Sequence, residues 1–225
     1  MAQEIGVYLW AMHETLESMG IEGASNAYFT PFMEYTVIVN EEGERFISEK
    51  TWTETIAEKT LTLPGAHAFL LYDAEIGKRS EVVTTLKNVI PDKYVIEAGS
   101  LRELAQRLGI NPDSLEKTIE EYNTYCETGQ DPLGKLKDAL FPIKTPPFYG
   151  IESVALPVVT TGGILTDVNA RVWNSYKKPI KRFYSVGEVT GGKLVGYPGC
   201  GTSITDCIVL GRIAGKNAAK EEPWE

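Results

Sequence analysis

Residues 182–219 read RFYSVGEVTGGKLVGYPGCGTSITDCIVLGRIAGKNAA. Phe183–Val186 has the composition of a short buried strand, and six of the fifteen residues from Gly187 to Gly201 are glycine. Beyond them Ile204, Cys207, Ile208 and Ala214 pattern a helix. Gly211, Ala214, Gly215 and Ala218 give it a small-residue side suited to close packing on a sheet. Strand, glycine-rich loop and helix start form the one constellation in the chain with chemical content. Unpaired N–H groups and a partial positive charge at a helix start favour an anion or developing negative charge. The glycines let that backbone approach a flat or phosphorylated ligand; they are equally compatible with a tight turn that needs only positive φ.

Upstream of this stretch, Leu165–Asp167 and Ala170–Trp173 read as hairpin strands. Residues 131–147 are polar and proline-rich, a connection. Before it lie two helices with end signals. Ser100 and Glu103 form a capping box ahead of Leu101, Leu104 and Leu108, with Gly109 as the stop. Asn111-Pro112 starts the second, whose stripe is Leu115, Ile119, Tyr122 and Cys126, and Gly129 closes it. Ala66–Tyr72 reads as a buried strand, Tyr35–Val39 as a strand, and Asn40–Gly43 as a turn leading to a short run Glu44–Ile47. Residues 4–19 place Ile5, Tyr8, Leu9, Met12 and Leu16 at helical spacing, which predicts a helix ended by Gly20. Residues 31–155 thus read as an α+β unit.

Composition removes several classes of function. The 225 residues carry 22 Lys+Arg against 31 Asp+Glu, a net charge of −9, and there is no basic stripe to bind nucleic acid. The longest apolar stretch, residues 66–72, is far too short to span a bilayer, and the first twenty residues lack the pattern of a signal peptide. A cytoplasmic location is expected on that basis. Three cysteines with no C-x-x-C pair argue against a disulfide framework or a zinc site, and no metal is expected. With only His13 and His67, a Ser-His-Asp machine is nearly excluded. Chemistry must come from backbone dipoles, Tyr, Lys or Arg, or a bound cofactor.

Several ordered blocks resemble the flavoprotein family of fumarate reductases, succinate dehydrogenase flavoprotein subunits, flavocytochrome c and ketosteroid dehydrogenases. They are VIVNEEGERFISE, EYNTYCETGQDP with TPPFYGI, TGGILTD, RFYSVGEVTGG and GTSITDCIVLGRIAGKNAA. The resemblance covers nearly the whole chain. It implies FAD as cofactor and an α+β fold: a cap domain of the fumarate reductase type plus the incomplete C-terminal part of a Rossmann-like FAD-binding domain. Residues 1–29 would be a partial segment of the FAD domain, 30–157 the cap that closes over substrate, and 158–225 the C-terminal part of the FAD domain. The G-x-G-x-x-G that cradles the pyrophosphate in this family does not occur in the sequence. The expectation is therefore a fragment, or a subunit that needs the missing FAD-pyrophosphate segment from elsewhere or from a partner chain.

The resemblance assigns Gly187 and Glu188 to the FAD ribose or ribityl region, and Thr202, Ser203 and Ile204 to the helix start at the flavin pyrimidine edge. Plain capping is the other role open to Ser203. The family's fumarate chemistry fits poorly. Val158-Val159-Thr160-Thr161 stands where a His is expected, and Pro198 where a substrate-clamping Arg is expected. Losing both removes the grip on two carboxylates. Glu49 matches a family glutamate in the proton path, and the cap arginine falls near Lys78 or Arg79. YPGCG instead resembles the ketosteroid dehydrogenase loop, in which Tyr197 and the N–H of Gly201 would polarise a substrate carbonyl, with Lys193 and Cys200 as further substrate contacts. Two donors on a carbonyl oxygen stabilise enolate-like charge while hydride passes to or from an adjacent carbon. The expected partners are a small carbonyl-bearing substrate and an external electron carrier, since the chain has neither a haem motif nor an iron–sulfur cysteine run. The competing expectation is a non-catalytic cap or interaction module.

Overall fold

The computed structural model of the chain describes residues 2–24, 30–192 and 202–222. In chain order it forms β1 (Leu9–Trp10), β2 (Thr15–Gly20), α1 (Thr30–Met33), β3 (Val37–Val39), α2 (Thr53–Thr60), β4 (His67–Asp73) and α3 (Ala74–Gly77). There follow α4 (Ser80–Asn88), β5 (Ile96–Ala98), α5 (Leu101–Leu108), α6 (Pro112–Thr128), β6 (Phe148–Thr160), β7 (Gly163–Ile164), β8 (Arg171–Trp173), β9 (Pro179–Tyr184) and α7 (Thr202–Ala218). The chain divides into two compact units, residues 17–156 and residues 1–16 with 157–225.

The larger unit is organised by a sheet of order β2-β6-β4-β3, with β5 also pairing β6. β4 lies between β3 and β6, antiparallel to both; Leu70 faces Ile38 on one side and Ile151 on the other. This central place explains why β4 reads as a near-continuous apolar run: Ala68, Leu70 and Leu71 are wholly buried. Phe32 meets Tyr72 edge-on, with ring centroids 5.4 Å apart. Leu104 of α5 and Leu115, Ile119 and Tyr122 of α6 join the same core. Burial of each such side chain contributes about 1.5–3 kcal/mol.

The helix ends follow the local chemistry of the sequence. The Ser100 side chain accepts from Glu103 N at 3.1 Å, and Glu103 Oε2 accepts from Gly99 N at 2.9 Å. Asn111 Oδ1 accepts from both Asp113 N and Ser114 N. Gly109 and Gly129 take left-handed φ of 75° and 71° just past the two helices.

Three expectations from the sequence need correction. Residues 4–19 are not a helix: Gln3–Ile5 makes one 3-10 turn, Gly6 turns left-handed, and β1 and β2 follow. Pairing overrides the periodicity here, since Leu9 and Trp10 face Ile164 and Gly163, and Tyr8 N donates to Trp173 O. The apolar residues Ile5 and Met12 are left exposed. Second, Leu165–Asp167 is no full strand: it touches its neighbour through the single bridge Thr166–Val172. Asp167 Oδ1 accepts from Asn169 N and Arg171 N and curls the chain there, so β8 takes β9 as its partner instead. β9 spans Pro179–Tyr184, earlier than the expected Phe183–Val186. Third, among the described residues no strand packs against the glycines on the small-residue side of α7. A Cβ at Gly211 or Gly215 would meet nothing within 4 Å.

Candidate functional site

In the smaller unit the loop after β9 is stitched along β7. Ile164 N donates to Val189 O at 2.9 Å, and Gly191 N donates to Ile164 O at 3.0 Å. Thr190 caps the turn: its N–H and its hydroxyl both donate to Gly187 O, at 2.9 and 2.6 Å. Two glycines make the crossing possible. A Cβ on Gly163 would lie 2.4 Å from Val189 O, and one on Gly191 2.4 Å from Gly163 N. Gly187 adopts φ +79°, and a Cβ there would come within 3.2 Å of Cys207 Sγ on α7. Part of the glycine richness therefore serves backbone contact and turning.

This arrangement leaves a cavity of about 190 Å³ between the turn and the start of α7, lined by Thr160, Thr161, Gly187, Glu188, Ser203 and Asp206, among others. Ser203 and Asp206, from the first turns of the 17-residue helix α7, are among its lining residues, and a helix start carries N–H groups without intrahelical partners. Glu188 and Ser203 are exposed at its rim, and Thr190 is buried at its base. Gly187, Glu188 and Ser203 are thus brought together. Ile204 lies on the same turn of α7, 67% exposed, and Thr202 opens the helix. Tyr197, Gly201, Lys193 and Cys200 lie outside the described residues.

Glu49 and Arg79 belong to the larger unit. Glu49 is sealed in an ion cluster. Arg45 donates to both its oxygens at 2.9 and 2.8 Å, Lys135 Nζ lies 3.2 Å away, and Ile38 N donates to Oε1 at 3.0 Å. Asp131 accepts from the other side of the guanidinium at 2.7 and 3.1 Å. Burial alone would raise the Glu49 pKa, but the charges of Lys135 and Arg45 outweigh it and hold the carboxyl below its ordinary range. Burial pulls the Lys135 ammonium down. Arg79 is exposed at the start of α4, its guanidinium 4.1 Å from the Phe141 ring centre and 4.8 Å from that of Tyr35. No cluster of metal-ligand residues occurs among the described residues, and no helix there is long and apolar enough to cross a membrane.

The profile of the FAD binding domain family matches residues 16–204. The chain belongs to this FAD-binding family. A protein named probable fumarate reductase from Shewanella frigidimarina is 32% identical over 185 residues, 82% of this chain and 31% of that protein. Digoxin reductase of Eggerthella lenta is 31% identical over 238 residues, 98% of this chain and 40% of the reductase. The solved 3-ketosteroid-delta4-(5alpha)-dehydrogenase of Rhodococcus jostii, in complex with 4-androstene-3,17-dione, superposes with a TM-score of 0.73 at 28% identity, covering 98% of this chain and 44% of that one. The chain thus spans less than half the length of each. The family resemblance read from the sequence blocks is shown, together with a mixed helix-and-strand fold of the fumarate reductase type.

The family's cofactor is FAD, and the cavity suits one part of it. At about 190 Å³ it is smaller than the roughly 300–1,000 Å³ pockets that enclose whole ligands. Glu188 and Asp206 on its wall repel phosphate but accept hydrogen bonds from hydroxyls and ring N–H groups, while the helix start donates to an electron-rich edge. The donor set therefore fits the ring and polyol portion of FAD and not its pyrophosphate. Sequence reasoning did not single out Thr190 or Asp206, and it named Thr161 only within the stretch that stands in place of a family His. The three-residue spacing of Ser203 and Asp206, one face of a helix start, was the available signal for Asp206.

Proposed function

We propose that the chain is part of an FAD-dependent oxidoreductase that transfers hydride between flavin and a C–C bond next to a carbonyl. The observation that carries this reading is the cavity joining the Gly187–Thr190 turn to the start of α7 in a chain of the FAD-binding family. In it residues 158–225 serve the FAD domain, residues 30–157 form the cap, and residues 1–29 belong with the FAD domain.

FAD, when bound, supplies the two-electron redox centre. The N–H groups of Thr202, Ser203 and Ile204 would hold an electron-rich edge of the flavin and stabilise negative charge there, and Glu188 would accept from cofactor hydroxyls. The Tyr197 hydroxyl and the Gly201 N–H donate to the substrate carbonyl oxygen, and Lys193 and Cys200 border the same loop. The sequence departures at Val158–Thr161 and Pro198 favour an enone of the ketosteroid kind over a dicarboxylate. The pyrophosphate is held by a segment other than these residues, and an external carrier exchanges electrons. The test is turnover of 4-androstene-3,17-dione or a simple cyclic enone by FAD-supplied protein, with Tyr197→Phe lowering kcat about 10²-fold, the usual worth of one oxyanion donor. Equal turnover by this variant would remove Tyr197 from the reaction.

One observation favours a second reading, an interaction module. Ile204, Ile208 and Val209 of α7 are exposed, an apolar face suited to a partner. A flavin-free chain that forms a stable complex through α7 would support it.

A further inference from the structure

We propose that a groove on the larger unit, floored by Tyr72 and Tyr149, binds a small planar ligand carrying a positive charge. The groove has a volume of about 690 Å³ and lies wholly within residues 72–149. That is the size range of pockets for ring-bearing small molecules.

Its floor is a stacked aromatic pair, with ring centroids 4.9 Å apart and planes within 14°. Tyr72 is buried beneath and Tyr149 is half-buried above it, so one flat π surface remains for a ligand ring. Val95 and Pro147 supply apolar side walls. A planar ring seated there exchanges water for carbon on both edges and stacks on the tyrosine face.

The charge of the rim selects the sign of the ligand. Asp92 and Glu97 border the groove, and neither has a salt bridge among the described residues. Among the described lining residues the one cation, Lys78, is paired with an acid: its Nζ lies 2.6 Å from Glu75 Oε1 in an exposed ion pair. The Tyr149 hydroxyl is hydrogen-bonded to Glu97, and burial together with Tyr149, Glu97 and Asp92 pushes the Tyr72 phenol upward, as expected where the local potential is negative. A ring with a fixed cation gains from the aromatic face and from both carboxylates at once, whereas an anionic ring of the same shape meets repulsion. Every residue named belongs to the larger unit, and none is among those assigned to the cofactor or to the substrate carbonyl.

The test is a fluorescence titration of the full chain with N-methylacridinium, repeated with acridine-9-carboxylate as the anionic ring of matching shape. The expected result is one saturable site for the cation, with binding of the anion at least tenfold weaker. The double variant Asp92→Asn with Glu97→Gln alters only exposed side chains and should weaken cation binding at least fivefold. Glu75→Gln frees Lys78 and should also weaken it, while Lys78→Gln should not. Tyr149→Ala should abolish the quenching that stacking produces. Absence of saturable binding, equal binding of the anionic ring, or unchanged affinity in the double carboxylate variant would each overturn the proposal.

Discussion

Arg45 holds Glu49 by both carboxylate oxygens, Nε on Oε1 at 2.9 Å and Nη2 on Oε2 at 2.8 Å, with both side chains almost wholly withdrawn from water. The pair is completed by Asp131 beyond the guanidinium and by Lys135 beyond the carboxylate. Tyr122 lies against both cations, its ring centre 4.7 Å from Arg45 and 5.3 Å from Lys135. These groups tie the turn after β3 to the start of α2, to α6 and to the connection after it. Removing one charge leaves the others buried without compensation, a loss of about 3–5 kcal/mol. Glu49→Gln should therefore lower the urea midpoint of the larger unit markedly. A midpoint equal to that of the parent chain would show the cluster to be energetically idle.

Acid should act through the same cluster. Glu49 and Asp131 are each held below their ordinary ranges: burial opposes ionisation, and the neighbouring cations prevail. A carboxyl whose folded pKa is depressed adds stability above its unfolded value, and that stability is lost as pH falls through the folded value. Unfolding free energy should thus decline progressively below about pH 4.5, the ordinary glutamate value. Glu49→Gln should flatten the decline, and a parallel profile in the variant would contradict this.

His67 should respond in the opposite direction. Its Nδ1 lies 2.7 Å from Glu152 Oε1 and its Nε2 contacts Glu41, so both ring nitrogens face acceptors and the ring is held as imidazolium. Burial lowers its pKa, but the two carboxylates prevail and raise it above 6.5. The stability it adds is fully present below the unfolded value and is lost as pH rises through the folded one. NMR titration should place His67 above the ordinary imidazole value of 6.5, and the melting difference between the parent and His67→Gln should shrink as pH rises. The effect is modest because both carboxylates are solvent-exposed.

Two glycine substitutions should differ in sign. Gly191→Ala forces a Cβ to 2.4 Å from the Gly163 nitrogen, where only backbone can give way, and should destabilise by roughly 1–3 kcal/mol or more. Gly211→Ala places its methyl in open space on α7 and should stabilise by about 0.8–1.0 kcal/mol through helix propensity. Thermal melts of both variants check the pair, and a loss at Gly211 would mean that its side of α7 is covered in solution.

What the sequence disclosed was what local chemistry controls. Ser100, Asn111, Gly109 and Gly129 bound their helices as their residue types require, and the apolar run ending at Tyr72 sits mid-sheet. Long-range pairing was not legible. Nothing local tells Leu9 and Trp10 that Ile164 and Gly163 await them, so a spurious 3.6-residue period suggested a helix. The site was half legible. Glycine density pointed to the Gly187 turn, but the close passage of Gly163 and Gly191, which accounts for part of that density, depends on residues far apart in sequence. Glu49 stood out as a carboxylate in a family block; its burial between Arg45 and Lys135 needed the fold, because Lys135 lies 86 residues away.

The most direct measurement is a titration of FAD with the purified chain, followed by flavin absorbance and fluorescence before any desalting, for the parent and for Glu188→Ala. With the pyrophosphate held by a segment outside these residues, the parent should perturb the flavin spectrum saturably but weakly, and the variant should need a higher protein concentration for the same change. An unperturbed flavin spectrum at high parent concentration, or identical titrations for both proteins, would contradict the assignment of the Gly187–Thr190 turn and the start of α7 as the seat of the flavin end of the cofactor.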